Sequence, residues 1–424
     1  MRIHGTSTPV LVLGASLHGS LGIIRSLGEL GITVYGTYSD ERGPAAYSKF
    51  CKQVFQWRYP YGSDRECVQE LLKIAEQIGR PCVLIPTWDE TAIFAAENYG
   101  ELSRRFIYPR QDARLAKELV SKKDMYLLAK KCGIPTAEIT LPRYLADVET
   151  FARSATFPVL LKGSDGNRLK RRTNRKMVIV SSPAELLDLY LEMEDPEDPN
   201  LMLQEYIPPT PGGDWMFNGY FNDDSDCLIG FTGQKWRQTP VYTGMTSLGI
   251  CSNNSIVLKW TIEWMKKIGY KGILDIGYRY DHRDGEYKVL DVNPRIGATF
   301  RLFVGHNQMD AVRAFYLDMT GQAVPASPAC EGRKWMVELD FKSCLDYYRD
   351  GNLTFRQWLK SLRGIEEFGY FRRNDLRPFV QFLITAGRKM LKKDRNSEVG
   401  SIFHLDCRPV LRETAEVGVT TPAE

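Results

Sequence analysis

The chain has 424 residues, of which 43% are hydrophobic and 25% are charged, values typical of a globular protein with two or three domains. Lysine and arginine total 56 against 52 aspartates and glutamates, and a net charge of +4 is too small to predict nucleic-acid binding. No apolar run reaches the ~18–20 residues that span a bilayer, and the start of the chain lacks a signal-peptide layout. Nine cysteines without a C-x-x-C pair favour a reducing compartment over disulfides or a zinc site. We therefore expect a cytoplasmic protein.

The first elements predict a doubly wound α/β domain. An apolar strand at Val10–Leu13 precedes a glycine-containing turn, a helix at Ile23–Leu30 and a second strand at Gly31–Gly36. The glycines at 14, 19 and 22 depart from the G-x-G-x-x-G spacing of dinucleotide sites, and no acid closes the second strand. The turn is therefore interpreted as structural or as facing another substrate, with a nicotinamide site as the weaker alternative.

The next elements lead out of this first domain. A third strand at Pro81–Pro86 is followed by Asp89 and Glu90, at the end where ligands of open α/β sheets bind. These two acids either face a ligand or stabilise the following helix by interacting with the positive end of its dipole. Two helices are then predicted at Asp112–Val120 and Lys122–Cys132.

A lysine-ended strand at Phe157–Lys162 opens into a loop with Gly163, Ser164 and Gly166. Such a loop exposes backbone N–H groups to phosphate, and the lysine supplies a positive charge beside it. Six positive charges follow between residues 168 and 176, and no aromatic residue interleaves with them, which disfavours stacking on single-stranded nucleic acid. A mobile basic lid over a polyphosphate is favoured over a solvated hairpin tip or a non-specific nucleic-acid patch.

The middle of the chain predicts three strands, a polar loop at residues 237–249 and a helix. The predicted elements are Leu201–Ile207, Trp215–Phe221, Gly230–Trp236 and the helix Ser255–Ile268. Glu205 lies near the end of the first strand, and Asp214 opens the second. Lys235 and Arg237 stand at a strand end and are candidates for a carboxylate pocket; the alternative is a pair of exposed strand residues.

A hairpin with an Asp-Gly turn follows, with one strand around Gly272–Gly277 and the other around Val289–Asn293. Side chains alternate along a strand, so Asp291 and Asn293 share a face that Asp275 can join. Oxygen donors beside Arg295 suit Mg²⁺ that also holds phosphate. From spacing alone, a solvated acidic edge is an equal alternative.

The last hundred residues carry fewer signals. A strand is predicted at Trp335–Phe341, and a helix at Phe379–Leu391 runs from apolar to basic residues. Such a helix can lie on an anionic membrane, although a packing helix with a solvated end is the favoured alternative. Residues 410–424 read as a disordered tail.

Taken in order, the lysine-ended strand, the Gln-Glu-Tyr-Ile segment and the Asp … Asp-x-Asn-x-Arg hairpin resemble the ATP-grasp superfamily of carboxylate–amine ligases. The resemblance covers roughly residues 10–320 and is similar in organisation to enzymes of the D-aspartate ligase kind. It implies an α/β and α+β fold, with a Rossmann-like domain followed by a two-lobed ATP-grasp fold that holds the nucleotide between two antiparallel sheets. The implied domains are 1–110, a small lobe at 111–200, a large lobe at 201–328 and an extension at 329–424.

The resemblance also implies roles for individual residues. It matches the ATP phosphates to Lys122 (or its neighbour Lys123) and Lys162, and the ribose to Asp214. The adenine is matched to Glu205, Tyr206 and Ile207. Two Mg²⁺ ions are matched to Asp275, Asp291 and Asn293. Arg295 matches the arginine that steadies the transferring phosphoryl group. Asp291 departs from the family, which usually has glutamate there, and the loop 208–213 is longer than in D-alanine–D-alanine ligases.

The implied reaction activates a carboxylate as an acyl phosphate with release of ADP, after which an amine displaces phosphate. A carboxylate and an amine are thus the expected partners, without nucleic acid or a transmembrane segment, and a homodimer is a further expectation. Three alternatives stay open: a biotin-dependent carboxylase, a non-catalytic nucleotide-binding module and a nicotinamide-dependent oxidoreductase.

Overall fold

The computed structural model describes residues 3–241 and 244–395, without the side chains of residues 167 and 389–395. The strands of these residues form three sheets. Residues 1–137 and 207–386 belong to one unit, and residues 138–206 together with the described residues 387–395 belong to a second. The mixed α/β class predicted from the sequence is confirmed.

The first sheet of the first unit is parallel, with strand order β3-β2-β1-β4-β5. Its strands are β1 (Val10–Leu13), β2 (Val34–Tyr38), β3 (Cys51–Gln56), β4 (Cys82–Pro86) and β5 (Phe106–Ile107). The accompanying helices are α1 (His18–Gly28), α2 (Asp64–Ile78), α3 (Asp89–Glu97) and α4 (Tyr99–Leu102). The predicted β-α-β opening is confirmed, whereas β3 was missed because half of its residues are exposed and it lacks an apolar run.

The glycine turn after β1 is a tight structural turn. Gly14 has a φ of +88°, and a Cβ at this position would lie 2.6 Å from Nε1 of Trp88. Glycine alone combines this left-handed backbone with so close an approach. The structural interpretation of the turn is therefore favoured over a dinucleotide loop.

Two further helices of the first unit, α5 (Ala113–Val120) and α6 (Lys122–Cys132), agree with the prediction. The side chain of Ser121 caps α6 by accepting a hydrogen bond from the backbone N–H of Asp124. Gly133, with a φ of +78°, ends the helix. The cap fixes the first turn of α6, where Lys122 lies.

The second unit contains a four-stranded antiparallel sheet with strand order β6-β9-β7-β8. Its elements are β6 (Ile139–Thr140), α7 (Leu145–Ser154), β7 (Val159–Gly163), α8 (Gly166–Thr173), β8 (Met177–Val180), α9 (Pro183–Met193) and β9 (Leu201–Glu205). Val159 and Leu161 of β7 pack with Val148 and Leu186 of the helices. The predicted loop after Lys162 is wrong beyond Asp165, because residues 166–173 form a helix.

The first unit also holds a seven-stranded sheet with strand order β14-β13-β10-β11-β12-β15-β16. Its strands are β10 (Asp214–Phe221), β11 (Cys227–Thr239), β12 (Met245–Cys251), β13 (Gly272–Asp281), β14 (Glu286–Asn293), β15 (Lys334–Met336) and β16 (Ile365–Phe368). The helices are α10 (Ser255–Ile268), α11 (Ala311–Met319), α12 (Asp340–Arg349), α13 (Phe355–Ser361) and α14 (Arg377–Arg395). All neighbouring strands are antiparallel except β15 and β16.

Two predictions in this region are corrected. The predicted polar loop at 237–249 is shorter, because β11 continues to Thr239 and β12 begins at Met245. The predicted strand at Trp335–Phe341 ends at Met336, and α12 begins at Asp340. Within residues 3–395, apart from 242 and 243, no helix has the length and apolar character to cross a membrane. The predicted disordered tail, 410–424, lies outside the described residues.

Candidate active site

An acidic cluster lies on one face of the β13–β14 hairpin. Asp275 pairs in register with Asn293, and Gly277 pairs with Asp291, so the three polar side chains share a face. Nδ2 of Asn293 donates to Oδ2 of Asp275 at 3.2 Å and to Oδ2 of Asp291 at 3.1 Å. The structure thus brings together the three residues that the sequence predicts as Mg²⁺ ligands.

Lys122 neutralises one of these acids. Its Nζ donates to Oδ1 of Asp291, and both side chains are partly exposed. Removal from water by itself raises the pKa of the Asp291 carboxyl, but Lys122, Asn293 and Lys235 together outweigh that effect, and the pKa falls to about 2. A cation therefore already balances the charge of Asp291.

Asp275 is partly buried beside Gly297. Its removal from water raises the pKa of its carboxyl, although Arg295 and Lys235 oppose this shift. A Cβ on Gly297 would lie 2.4 Å from Cγ of Asp275, so only glycine lets the backbone pass this closely. Gly297 was not predicted as a site residue, and it holds the position of the Asp275 carboxylate.

Arg295 joins the cluster to the carboxyl end of β4. Its Nε donates to Oδ1 of Asp89, the first residue of α3, at 2.8 Å, and its Nη2 donates to Oδ1 of Asn293 at 3.1 Å. The sequence left Asp89 as either a ligand-facing acid or a helix-end acid. The structure shows it as the partner of Arg295, from 206 positions earlier in the chain.

Lys235 lies on the same sheet face, whereas Arg237 does not serve the predicted pocket. A Cβ on Gly277 would lie 3.9 Å from Nζ of Lys235, which places this ammonium over the acidic hairpin. Arg237 is 5% exposed, and its Nε and Nη2 donate to Asp340 at 2.9 and 2.6 Å. Its Nη1 donates to Ser361 at 2.7 Å. Because these partners hold the guanidinium, its assignment to a substrate carboxylate is wrong.

Asp214, expected at the ribose, is engaged within the sheet. Its Oδ1 accepts from Nε of Arg279 at 2.7 Å, and its Oδ2 accepts from Nε2 of Gln238 at 2.9 Å. Arg279 also donates to the backbone carbonyl of Ile207 at 3.1 Å. The position of Ile207, predicted to face adenine, is therefore fixed by the arginine that pairs with Asp214.

In the second unit, the predicted phosphate loop is closed by Asn200. The backbone N–H of Ser164 donates to the carbonyl of Asn200 at 2.7 Å, and that of Asp165 donates to Oδ1 of Asn200 at 2.9 Å. Close packing continues at Gly163, where a Cβ would lie 2.7 Å from the carbonyl of Asp165. The loop was predicted to expose its backbone N–H groups to phosphate, and this is wrong for the N–H groups of Ser164 and Asp165. Gly166 begins α8 instead.

The lysine and the hinge residues of the second unit lie on adjoining strands. Lys162 of β7 pairs in register with Met177 on one side and Met202 on the other. Glu205 ends β9, and its Oε2 accepts from the backbone N–H of Glu138 at 3.1 Å. Tyr206 follows directly and is partly exposed. These residues are placed at the strand ends that the sequence predicts.

Asn218 is a residue that sequence reasoning missed. It is fully buried on β10, opposite Asp275 in the register. Its carboxamide interacts with the Asp275 carboxylate and opposes the rise in the pKa of that group. The available signal was an asparagine inside the otherwise apolar strand Trp215–Phe221.

The cluster fits a magnesium ion that arrives with phosphate. Within residues 3–241 and 244–395 no group of three or more His, Cys, Asp or Glu side chains is placed to hold a metal ion. Asp275, Asp291 and Asn293 instead offer two carboxylates and a carboxamide, and Mg²⁺ is commonly bound by one or two carboxylates with substrate phosphates. Asn293 would bind through Oδ1, which here accepts from Arg295.

Comparison with known proteins shows which solved structures share this fold. The mixed α/β fold is similar to that of a biotin carboxylase domain and of an L-amino acid ligase. The biotin carboxylase domain of Hydrogenobacter thermophilus 2-oxoglutarate carboxylase superposes with a TM-score of 0.58 at 16% identity, over 78% of this chain and 74% of that one. The L-amino acid ligase from Bacillus licheniformis gives a TM-score of 0.55 at 12% identity, over 74% and 75% of the two chains.

A relative is also found at the level of sequence. The D-aspartate ligase of Enterococcus faecium (strain Aus0004) is 24% identical over 318 residues, which span 72% of this chain and 74% of the relative. No protein-family model matches the chain. The predicted resemblance to ATP-grasp ligases is confirmed by these similarities.

Proposed function

We propose that this chain uses ATP to activate a carboxylate and then joins it to an amine. The observation that carries the proposal is the acidic cluster beside Arg295 and Lys235, on a fold shared with a ligase and with a carboxylase domain solved with MgADP. Similarity to a D-aspartate ligase over most of both chains supports the same activity.

The reaction proceeds in two displacements. An oxygen of the substrate carboxylate attacks the γ-phosphorus of ATP, the bond to the bridging oxygen breaks, and ADP leaves. The amine nitrogen then attacks the acyl carbon, the bond to the phosphate oxygen breaks, and the amine loses a proton as phosphate leaves. The protein contributes mainly position and charge, because phosphoryl transfer needs little covalent help.

In the first unit, Asp275, Asp291 and Asn293 hold Mg²⁺, which supplies positive charge against the phosphates. Lys122 covers Asp291 in the free protein and contacts phosphate when nucleotide is bound. Arg295, oriented by Asp89, faces the transferring phosphoryl group. We assign two Mg²⁺ ions to the site, following the sequence resemblance.

The remaining nucleotide roles follow the resemblance. Lys162 contacts phosphate, Glu205 and the backbone of Tyr206 and Ile207 bind the adenine, and Asp214 binds the ribose. The corresponding domains are a Rossmann-like domain at 1–110, small and large ATP-grasp lobes at 111–200 and 201–328, and an extension at 329–424. Lys162 is paired in register with Met177 on one side and Met202 on the other, and this supports its role. The two neighbouring strands fix the backbone from which the lysine side chain extends.

One of the two substrates is an amino acid. The relative in sequence is named for D-aspartate, and a solved structure of similar fold is named for L-amino acids. Lys235, over the acidic hairpin, is the residue placed to hold the substrate carboxylate. Arg237 has no part in this pocket, since Asp340 and Ser361 occupy its guanidinium.

The direct test measures ADP released from Mg·ATP by the purified protein with pooled carboxylates and amino acids. We expect release only when an acid is present, and hydroxylamine added to the productive mixture should trap the acyl phosphate as a hydroxamate. AMP and pyrophosphate in place of ADP would contradict the proposal. Release that requires bicarbonate and a biotinyl acceptor would indicate the carboxylase alternative, and tight NAD(H) binding without ATP turnover would indicate an oxidoreductase.

A matched pair of variants tests the second unit. Lys162→Ala should lower ADP release by about a hundredfold or more, because a phosphate loses its positive partner. Lys342→Ala removes the same charge from an exposed position on α12 and should leave the rate unchanged. Equal rates for the two variants would show that Lys162 does not contact the phosphates. If the protein bound ATP without turnover under every condition, the chain would be a non-catalytic nucleotide-binding module.

A further inference from the structure

The last described helix, α14, packs with one side only. Phe382 stacks on Tyr370 with ring centroids 4.4 Å apart, and Phe379 meets Phe371 edge-on at 5.5 Å. The side chains of Phe379 and Phe382 also pack against the core of the first unit. These contacts hold the first turns of α14 against the core of the first unit, and the opposite side of those turns faces solvent.

That opposite side is an exposed apolar stripe. It is formed by residues spaced four, three and one apart along the helix: Leu376, Val380, Leu383 and Ile384, which are 43–51% exposed. Residues at i, i+4, i+7 and i+8 lie on one face of a helix. Aliphatic side chains gathered in this way on a soluble surface mark a contact with an apolar partner.

The charged residues in the sequence of this helix are mostly positive. From Leu376 to Arg395 the sequence carries six lysines and arginines and a single acid, Asp394. The neighbouring acid Asp375 is 3% exposed and is held by Arg25 at 2.9 Å, so it does not offset them. The helix therefore offers an apolar stripe together with a net positive charge.

We propose that this face of α14 lies on an anionic lipid surface. The stripe needs an apolar partner and the charges need a negative one, and a membrane interface with anionic headgroups offers both in one plane. A second copy of the helix would set like charges against each other. Four side chains also cover far less than the roughly 800 Å² per partner of a stable protein interface.

The test is co-sedimentation of the full-length protein with vesicles of phosphatidylcholine and phosphatidylglycerol, compared with phosphatidylcholine alone. We expect binding to the anionic vesicles at low salt, and binding that falls as salt rises. Val380→Ser/Leu383→Ser should weaken the partition roughly tenfold because apolar area is lost. Arg377→Gln should weaken it roughly fivefold, the effect of one charge at such a surface.

The matched control is Leu345→Ser on α12, which removes a side chain that is 57% exposed but lies on another helix. It should bind as the unsubstituted protein does. Absence of binding to anionic vesicles, equal binding by the Val380→Ser/Leu383→Ser protein, or equal loss in the control would each overturn the proposal. A dimer in light scattering that the double variant abolishes would assign the face to a second copy instead. Unchanged ADP release and thermal unfolding establish that the variants are folded.

Discussion

Both ends of the β13–β14 hairpin carry acidic side chains, but the cations that pair with these acids come from different parts of the chain. At the turn, Asp281 is fully buried and accepts from Nε of Arg283 at 2.8 Å and from Nζ of Lys288 at 2.7 Å. Both partners belong to the same hairpin. At the other end, Asp291 is partly exposed, and its cation Lys122 lies on α6, 169 positions earlier.

The difference separates an acid that holds the fold from one that is available for chemistry. Asp281 has its partners within seven residues, and its carboxylate is fully buried against Lys288 and the partly exposed Arg283. Asp291 faces solvent beside Asp275 and Asn293, and a long, partly exposed lysine is a partner that can be exchanged for another cation. The same residue type therefore has two roles within ten positions, and variants can test the assignment.

The largest expected effect comes from comparing Asp291→Asn with Asp281→Asn. Asp291→Asn should reduce ADP release roughly a thousandfold, because a metal ligand is lost, and should change the free energy of unfolding by less than about 1 kcal/mol. Asp281→Asn should keep ADP release within about threefold and lower the free energy of unfolding by about 3 kcal/mol, because the buried Lys288 and the partly exposed Arg283 lose the charge of a buried partner. Steady-state kinetics and urea unfolding measure the two quantities. The reverse pattern would exchange the two roles.

A smaller effect is expected from alanine at one glycine of each end. Gly297→Ala would place a Cβ 2.4 Å from Cγ of Asp275, so the carboxylate must move, and ADP release should fall between about tenfold and a hundredfold. Gly285→Ala at the turn, where φ is +78°, should cost about 1 kcal/mol of stability through backbone strain. Its rate should be unchanged. Equal rates for the two variants would mean that Asp275 need not be held in this position.

The sequence predicted the acidic hairpin because strand periodicity and an Asp-Gly turn are local signals. It predicted the helices α5, α6 and α10 for the same reason, since their caps and apolar spacing lie within each segment. It failed on β3, half of whose residues are exposed, and on α8, whose glycine and charges resemble a loop. A strong local pattern of caps and apolar spacing was therefore sufficient to predict a helix or a strand.

Side-chain partners were not predictable from the sequence. Arg237 was assigned to a substrate because its partner Asp340 lies 103 positions away, and Asp89 was not linked to Arg295 over 206 positions. Asn200, which closes the predicted phosphate loop, lies 35 positions from Asp165. Pairings of this kind depend on how strands and helices pack, and a single sequence does not report that packing.

The smallest expected effect is the contribution of Asp281, at the turn end of the hairpin, to the pH dependence of stability. The hydrogen bonds from Arg283, followed by those from Lys288, hold the pKa of Asp281 well below its ordinary value of 3.8. The charged carboxylate is thus favoured in the folded state. Its stabilisation is present above about pH 4 and is lost as the pH falls through the folded pKa, with a slope of at most about 1.4 kcal/mol per pH unit.

Urea unfolding between pH 6 and pH 2 should therefore show a decline below pH 4 in the unsubstituted protein that is shallower in Asp281→Asn. Asp284→Asn is the control, because Asp284 is partly exposed, pairs with the same Lys288 and should leave the slope unchanged. An equal slope in all three proteins would mean that the local ion pairs do not stabilise the fold. The distinction between the two ends would then rest on the kinetics of Asp291→Asn alone.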